Sequence, residues 1–191
     1  MVGMKTTRET LLDLGEQAIR TRGFAGFSYA DLARDAGIRK ASIHHHFPAK
    51  ADLGLALVER YAVDLATALD AIQDDASSAG EAMRGAIALY RDALKDGTSA
   101  CLCAALATDT ALLDEATREA LKTTNDATRD WFESVYMKVE QDGSIDGIGD
   151  PTIEAPATLA LLQGAQLLAK AATSPEAFDE ATASLSARIS G

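Results

Sequence analysis

Residues that build β-sheets or bend the chain are scarce in this 191-residue sequence. It contains 4 Pro, 10 aromatic residues, and 14 Val and Ile together, against 38 Ala. β-Branched and aromatic side chains favour strands, whereas Ala favours helices. The composition therefore excludes an all-β protein or a Rossmann-type sheet and predicts an all-α fold. With 47% hydrophobic and 25% charged residues, the chain can bury one sizeable core.

Long apolar runs and cysteines are also scarce. No uninterrupted run approaches the roughly 18 apolar residues of a membrane span, and residues 1–10 lack the apolar centre of a secretory signal. We therefore expect a cytoplasmic protein with no membrane partner. Cys101 and Cys103 are too few for a disulfide framework, and a helix would point their side chains roughly 200° apart. They are predicted to be free thiols.

The net charge of -11 argues against nucleic acid until its distribution is considered. Residues 1–60 contain nine Lys and Arg and seven Asp and Glu, a balance of +2, and all three His lie there as well. The remaining residues carry nine basic and 22 acidic side chains, a balance of -13. This asymmetry indicates a head that faces nucleic acid and an acidic body.

The head contains the pattern of three short helices. Apolar residues with helical spacing predict a first helix from Thr6 or Thr7 to Arg22. The segment 28–31 has a capping-box arrangement, with Asp at the third position, that starts a second helix over 29–36. Gly37 can then turn the chain into a third helix over 40–47, before Pro48. Two short helices that meet at a glycine turn are typical of a helix-turn-helix.

The rest of the chain predicts six further helices, for about nine in all, and two domains. The domains are a DNA-binding domain over 1–50 and a ligand-binding and dimerisation domain over 51–191. The further helices are expected over 50–73, 81–95, 100–108, 112–141, 154–173 and 175–189.

The third helix has two different faces. On a helical wheel, Ile43 and Phe47 share one face, and the small or polar side chains Ala41, Ser42 and His45 lie on the opposite face. A recognition helix needs this division, because its apolar face fixes it on its neighbours while short polar side chains approach base edges. Lys40 can reach a guanine or a phosphate. A metal site at the three consecutive histidines, 44–46, is excluded because adjacent helical side chains diverge by about 100° and cannot meet at one ion.

The segments 27–33, 36–38 and 42–53, which read FSYADLA, AGI and SIHHHFPAKADL, resemble the DNA-binding domain of the TetR family of repressors. The resemblance implies a homodimer that binds a palindromic double-stranded DNA operator and releases it when a small-molecule effector enters the larger domain. Ser28 and Lys50 would hold the phosphate backbone. The expected DNA-binding residues are Ser28, Tyr29, Arg39, Lys40, Ala41, Ser42, His44, His45 and Lys50.

The body offers candidates for the effector site and the dimer contact. Apolar, aromatic and amide side chains predicted to face inward would line the cavity: Met83, Tyr90, Cys101, Trp131, Phe132, Val135, Tyr136, Gln163 and Gln166. The segment 159–172 is apolar almost all round, so we expect one side to face the core and the other to face a partner subunit, together with the last helix.

Two other hypotheses are compatible with parts of the sequence. The segment 101–109 is similar to a TetR subgroup in which a nearby cysteine reports electrophiles or oxidants, so Cys101 is an alternative sensor; two buried thiols are the simpler interpretation. A helical interaction module would suit the acidic body but leaves the head unexplained. An enzyme is disfavoured because all histidines lie in one helix and no Ser-His-Asp order is available. We expect no cofactor.

Overall fold

The computed structural model describes residues 5–190. Residues 1–4 and 191, which the two predicted domain ranges include, lie outside the described residues. Within 5–190 the fold is all-α, as predicted, and its only β-type pairing is an isolated bridge between Ile145 and Ile189. The described residues form nine α-helices: α1 Thr7–Arg22, α2 Tyr29–Ala36, α3 Lys40–His46, α4 Lys50–Asp75, α5 Ala79–Asp92, α6 Leu102–Ala107, α7 Glu115–Asp142, α8 Pro151–Ala172 and α9 Glu176–Ser186.

Helix starts follow the capping residues in the sequence. The Ser28 hydroxyl accepts a hydrogen bond from the Asp31 N–H, and the Asp31 carboxylate accepts one from the Ser28 N–H, so the predicted capping box of α2 is present. Gly37 ends α2 in the left-handed region, with a φ of 66°. The expected helix 112–141 begins later, because a short 3-10 helix occupies Thr110–Leu112 and Asp114 caps α7.

Helix α4 joins the head to the body. Its first turns pack Leu53 and Leu57 against Gly15 of α1, where an added Cβ would lie 3.2 Å from Leu57. Further along, α4 packs against α5 and α7, and α8 packs against α7 and α9. A boundary between residues 50 and 51 therefore falls inside a helix that serves both parts, and the division into two domains stays a prediction.

Between residues 5 and 190, no helix is both long enough and apolar enough to cross a bilayer.

Candidate DNA interface and effector clefts

Helix α3 has the two faces that the sequence predicts. Ile43 and Phe47 are buried at 0% and 2% exposure and anchor the helix in the core of the head, where α3 packs against α2. The opposite side is exposed to solvent. Its exposed residues are Arg39, Lys40, Ala41, Ser42, His44 and His45. Neither cation, Arg39 or Lys40, forms an ion pair with any residue of the described chain, so both are available to an anionic partner.

His44 is oriented by the turn that follows α3. Its Nδ1 lies 3.0 Å from the Pro48 carbonyl oxygen, and its ring packs edge-on against Tyr29 with the centroids 5.0 Å apart. Because a carbonyl oxygen can only accept, Nδ1 carries the proton of this bond. The Nε2 atom is therefore the nitrogen that His44 can offer to a base or a phosphate.

Tyr29 does not present its side chain to DNA, contrary to the sequence prediction. It is 7% exposed, and its hydroxyl donates to the carbonyl oxygens of Ala49 and Phe47 at 2.6 and 3.0 Å. Burial raises the pKa of Tyr29 to about 12, so the hydroxyl keeps its proton. Tyr29 thus fastens the start of α2 to the turn between α3 and α4.

Lys50 also has a structural role that the sequence did not predict. Its Nζ donates to the carbonyl oxygens of Phe24 and Phe27 at 2.5 and 2.7 Å, and it lies 4.1 Å from the centre of the Phe27 ring. Burial lowers the pKa of this ammonium. Two of its three protons are used inside the protein, so Lys50 holds the α1–α2 linker and is not a free phosphate ligand.

Ser28 is exposed, but its hydroxyl is also engaged. It donates to the Asp31 carboxylate at 2.8 Å, and this carboxylate lies 3.2 Å from Arg34. Hydrogen bonds from Ser28 hold the pKa of Asp31 below its usual value, so the carboxylate stays ionised. A phosphate contact by Ser28 would require its hydroxyl to leave Asp31.

Two clefts in the body could admit a small molecule. The first, which we call the junction cleft, has a volume of about 260 Å³ and lies between α1, α4, α5 and the start of α6. The second, the α4–α7 cleft, has a volume of about 180 Å³. The junction cleft is lined by Glu16, Arg20, Tyr61, Asp64, Leu65, Ala68, Leu89, Tyr90, Asp92, Ala93 and Cys101.

The predicted effector residues do not converge on one cleft. Tyr90 and Cys101 line the junction cleft, whereas Trp131 lines the α4–α7 cleft, where its Nε1–H is buried without a partner. The others belong to the packed interior or to a contact between helices. Four are completely buried and line neither cleft: Met83, Phe132, Val135 and Tyr136.

The two glutamines of α8 are satisfied by protein groups. Gln166 is 0% exposed, accepts from the Cys101 N–H at 3.0 Å and donates to the Tyr90 carbonyl at 2.6 Å. Gln163 donates to the Asn125 side chain at 3.0 Å. Gln166 therefore joins α8 to the end of α5 and the start of α6, and it is not a free anchor for a ligand.

Both thiols are free and buried. The Cys101 sulfur accepts from the Ala104 N–H at 3.3 Å and so caps α6. Burial raises the pKa of Cys101 and outweighs the lowering by that N–H and by the Arg20 charge. Burial therefore disfavours the thiolate that a sensor at Cys101 would need, which agrees with the simpler interpretation of two buried thiols. Burial also raises the pKa of Cys103 well above its usual value.

Two side chains that the sequence analysis overlooked link the head to the body. Arg20 donates to the carbonyl oxygens of Ala100 and Ala93 at 2.9 and 3.1 Å. Asp109 accepts from the Phe24 and Ala25 N–H groups at 2.7 and 3.3 Å. These pairs are separated by 73 to 85 residues along the chain. No local sequence pattern therefore predicts them.

A three-helix head with an exposed polar recognition helix, joined to a helical body that contains clefts, defines a helix-turn-helix DNA-binding regulator. The family model "Bacterial regulatory proteins, tetR family" matches residues 11–57. The HTH-type transcriptional repressor NemR of Escherichia coli K12 is 30% identical over 183 residues, which cover 93% of this chain and 90% of NemR. The chain belongs to the tetR family of bacterial regulatory proteins and is a transcriptional repressor of that family.

Solved structures agree with this assignment. A TetR-family transcriptional regulator from Agrobacterium tumefaciens matches with a TM-score of 0.90 and 29% identity, over 97% of this chain and 98% of that one. The reduced form of E. coli NemR matches with a TM-score of 0.81 and 27% identity, over 96% of this chain and 97% of that one.

Proposed function

We propose that this repressor binds a palindromic operator as a homodimer and leaves it when a small molecule enters the body. The observation that carries the proposal is the exposed, uncommitted face of α3. Lys40, Ser42 and His45 are exposed there, on a helix that Ile43 and Phe47 fix to the head. A face of this kind suits the major groove, since its short polar side chains can reach base edges.

The exposed side of α8 supports the homodimer. Apolar residues at helical spacing form one stripe within about 100° of the helix surface. Ile153 and Leu168 are 67% and 60% exposed, which is unusual for large apolar side chains on a monomer. The stripe consists of Ile153, Ala157, Ala160, Leu167 and Leu168. A second copy of the chain would bury it by an isologous contact.

The contacts of Arg20 and Asp109 support release by a ligand. Both side chains tie the α1 end of the head to the 93–109 segment of the body. A ligand that moves this segment would also move α1. Release requires that the ligand bind the DNA-free arrangement more tightly than the DNA-bound one.

The test is fluorescence anisotropy with duplex DNA from upstream of the chain's own coding region, together with light scattering. We expect a dimer at micromolar concentration and DNA affinity that Lys40→Ala lowers about tenfold. Lys138→Ala removes the same charge from an exposed position on α7 and should leave the affinity unchanged. A monomer, or equal losses in both variants, would contradict the proposal.

A cysteine-based repressor is the second candidate, because Cys101 lines the junction cleft. The buried thiol would have to become accessible before an electrophile or oxidant could reach it. Reaction of Cys101 in the native dimer, followed by DNA release that Cys101→Ser abolishes, would favour this candidate over reversible ligand binding.

A further inference from the structure

The junction cleft contains side chains from the head as well as from the body. Glu16 and Arg20 come from α1, whereas Tyr61 and Asp64 come from α4 and Tyr90 from α5. At about 260 Å³ it is slightly smaller than the roughly 300–1,000 Å³ of most ligand pockets. A ligand that fills it is therefore small and touches both parts of the protein.

The side chains that line the cleft carry an excess of negative charge. Arg20 is committed to two carbonyl oxygens and to Glu16, and Glu16 is bonded through its other oxygen to Arg60 at 2.7 Å. Asp64 and Asp92 are exposed, and neither has an ion pair or a side-chain hydrogen bond within residues 5–190. A cation that enters the cleft therefore meets two carboxylates that no protein cation neutralises.

The aromatic wall of the cleft supplies a second, independent observation. Tyr90 is 4% exposed, and its hydroxyl has no hydrogen-bond partner in the described part of the chain. The hydroxyl oxygen is not sealed in the core but keeps contact with the space of the cleft, so a group that enters the cleft can form a hydrogen bond with it. Burial raises the pKa of Tyr61 and of Tyr90 well above the usual value, so both rings stay neutral and can face a cation.

We propose that the junction cleft binds a small organic cation with an apolar body. Asp64 and Asp92 receive the ammonium group, and the rings of Tyr61 and Tyr90 contact the apolar part. The proposal rests on the proposed function, because it names the chemical class of the effector. An organic anion is disfavoured, since Arg20 already bonds through all three guanidinium nitrogens.

Binding at this place would be coupled to the head. A positive charge in the cleft repels the Arg20 guanidinium, which is the group that ties α1 to the Ala93 and Ala100 carbonyls. Loss of those bonds frees the end of α1 from the body. The DNA-bound arrangement is therefore expected to bind the cation more weakly than the free arrangement.

The test is titration calorimetry of the full chain without DNA, using three probes of similar size: benzylamine, benzyl alcohol and benzoate. We expect benzylamine to bind about tenfold more tightly than benzyl alcohol, with benzoate weakest, because partly exposed ion pairs and cation–π contacts are each modest. Equal binding of the alcohol or the benzoate, or no heat from any probe, would overturn the proposal.

Variants locate the site. The double change Asp64→Asn and Asp92→Asn should remove the preference for benzylamine, whereas Asp74→Asn with Asp75→Asn removes two exposed charges of α4 outside the cleft and should keep it. Tyr90→Phe removes the hydroxyl that could accept a proton of the ammonium group and should weaken benzylamine severalfold, with an unchanged melting curve as evidence of folding. A preference that persists in the 64/92 variant would refute the site.

Anisotropy then separates this proposal from the proposed function. Loss of DNA affinity on addition of benzylamine, absent in the 64/92 variant, supports the coupling. Bound benzylamine without DNA release overturns the coupling. Failure of the ligand-free chain to bind DNA overturns the proposed function and leaves the calorimetric result valid.

Discussion

Substitution of Lys50 distinguishes most clearly between a side chain that binds DNA and one that stabilises the fold. Replacement by Met keeps most of the length of the side chain but removes both hydrogen bonds to the Phe24 and Phe27 carbonyl oxygens. Hydrogen bonds from charged groups contribute about 1.5–3 kcal/mol each, and partial desolvation of the ammonium offsets some of this. We expect Lys50→Met to lower the free energy of unfolding by about 2 kcal/mol.

Thermal unfolding followed by circular dichroism measures this effect. A loss of about 2 kcal/mol corresponds to a Tm lower by about 4–8 °C in a chain of this size. Lys138→Met is the matched control, because Lys138 is exposed on α7 and forms no ion pair or side-chain hydrogen bond with any described residue. It should leave the Tm unchanged.

The salt dependence of DNA binding shows which role dominates. If Lys50 of each protomer neutralised one phosphate, Lys50→Met would flatten the slope of log affinity against log salt for the dimer by about 1.8. We expect the slope to stay the same while the Tm falls. An unchanged Tm with a flatter slope would refute the linker role and restore the phosphate contact.

Three further predictions concern the body. Gln166→Leu leaves a buried N–H and a buried carbonyl without partners and should lower the free energy of unfolding by about 2–4 kcal/mol in urea titrations, whereas Gln163→Leu, which breaks one half-buried bond, should cost less than half as much. Cys101 should resist N-ethylmaleimide in the native protein, because burial raises the pKa of its thiol; stoichiometric labelling within minutes, measured by mass spectrometry, would contradict this. The Arg188 hydrogen bond lowers the pKa of Glu154 in the folded state, so this pair stabilises at neutral pH and the contribution disappears as the pH falls through that lowered value; Glu154→Gln, which leaves the bonds of Arg188 to the Asp146 and Gly147 carbonyls in place, should therefore cost about 1 kcal/mol at pH 7 and little near pH 3, and equal costs at both pH values would exclude the pair as the cause.

Features that depend on neighbouring residues could be predicted from the sequence. The capping box of α2, the turn at Gly37 and the two faces of α3 follow from residues at most four positions apart, and the structure contains all three. Local patterns determine these features because helix periodicity and capping act within one or two turns.

Features that depend on distant partners could not be predicted. Lys50 lies 26 residues from Phe24, and Gln166 lies 76 residues from Tyr90, yet these contacts decide that neither side chain is free for a ligand. The sequence could not separate the effector candidates that line a cleft from those that do not, because residues such as Met83 and Val135 have the composition of a cavity wall and also that of a packed core. Only tertiary packing separates the two.

The proposed function requires that the exposed face of α3 read a palindromic operator in a dimer. The most direct measurement is selection of binding sites from a random duplex library by the purified chain. We expect an enriched palindrome with half-site centres about one helical turn or somewhat more apart, and altered base preferences for Ser42→Ala and His45→Ala but not for Lys138→Ala. No enrichment, a single half-site, or identical preferences in all four proteins would contradict it.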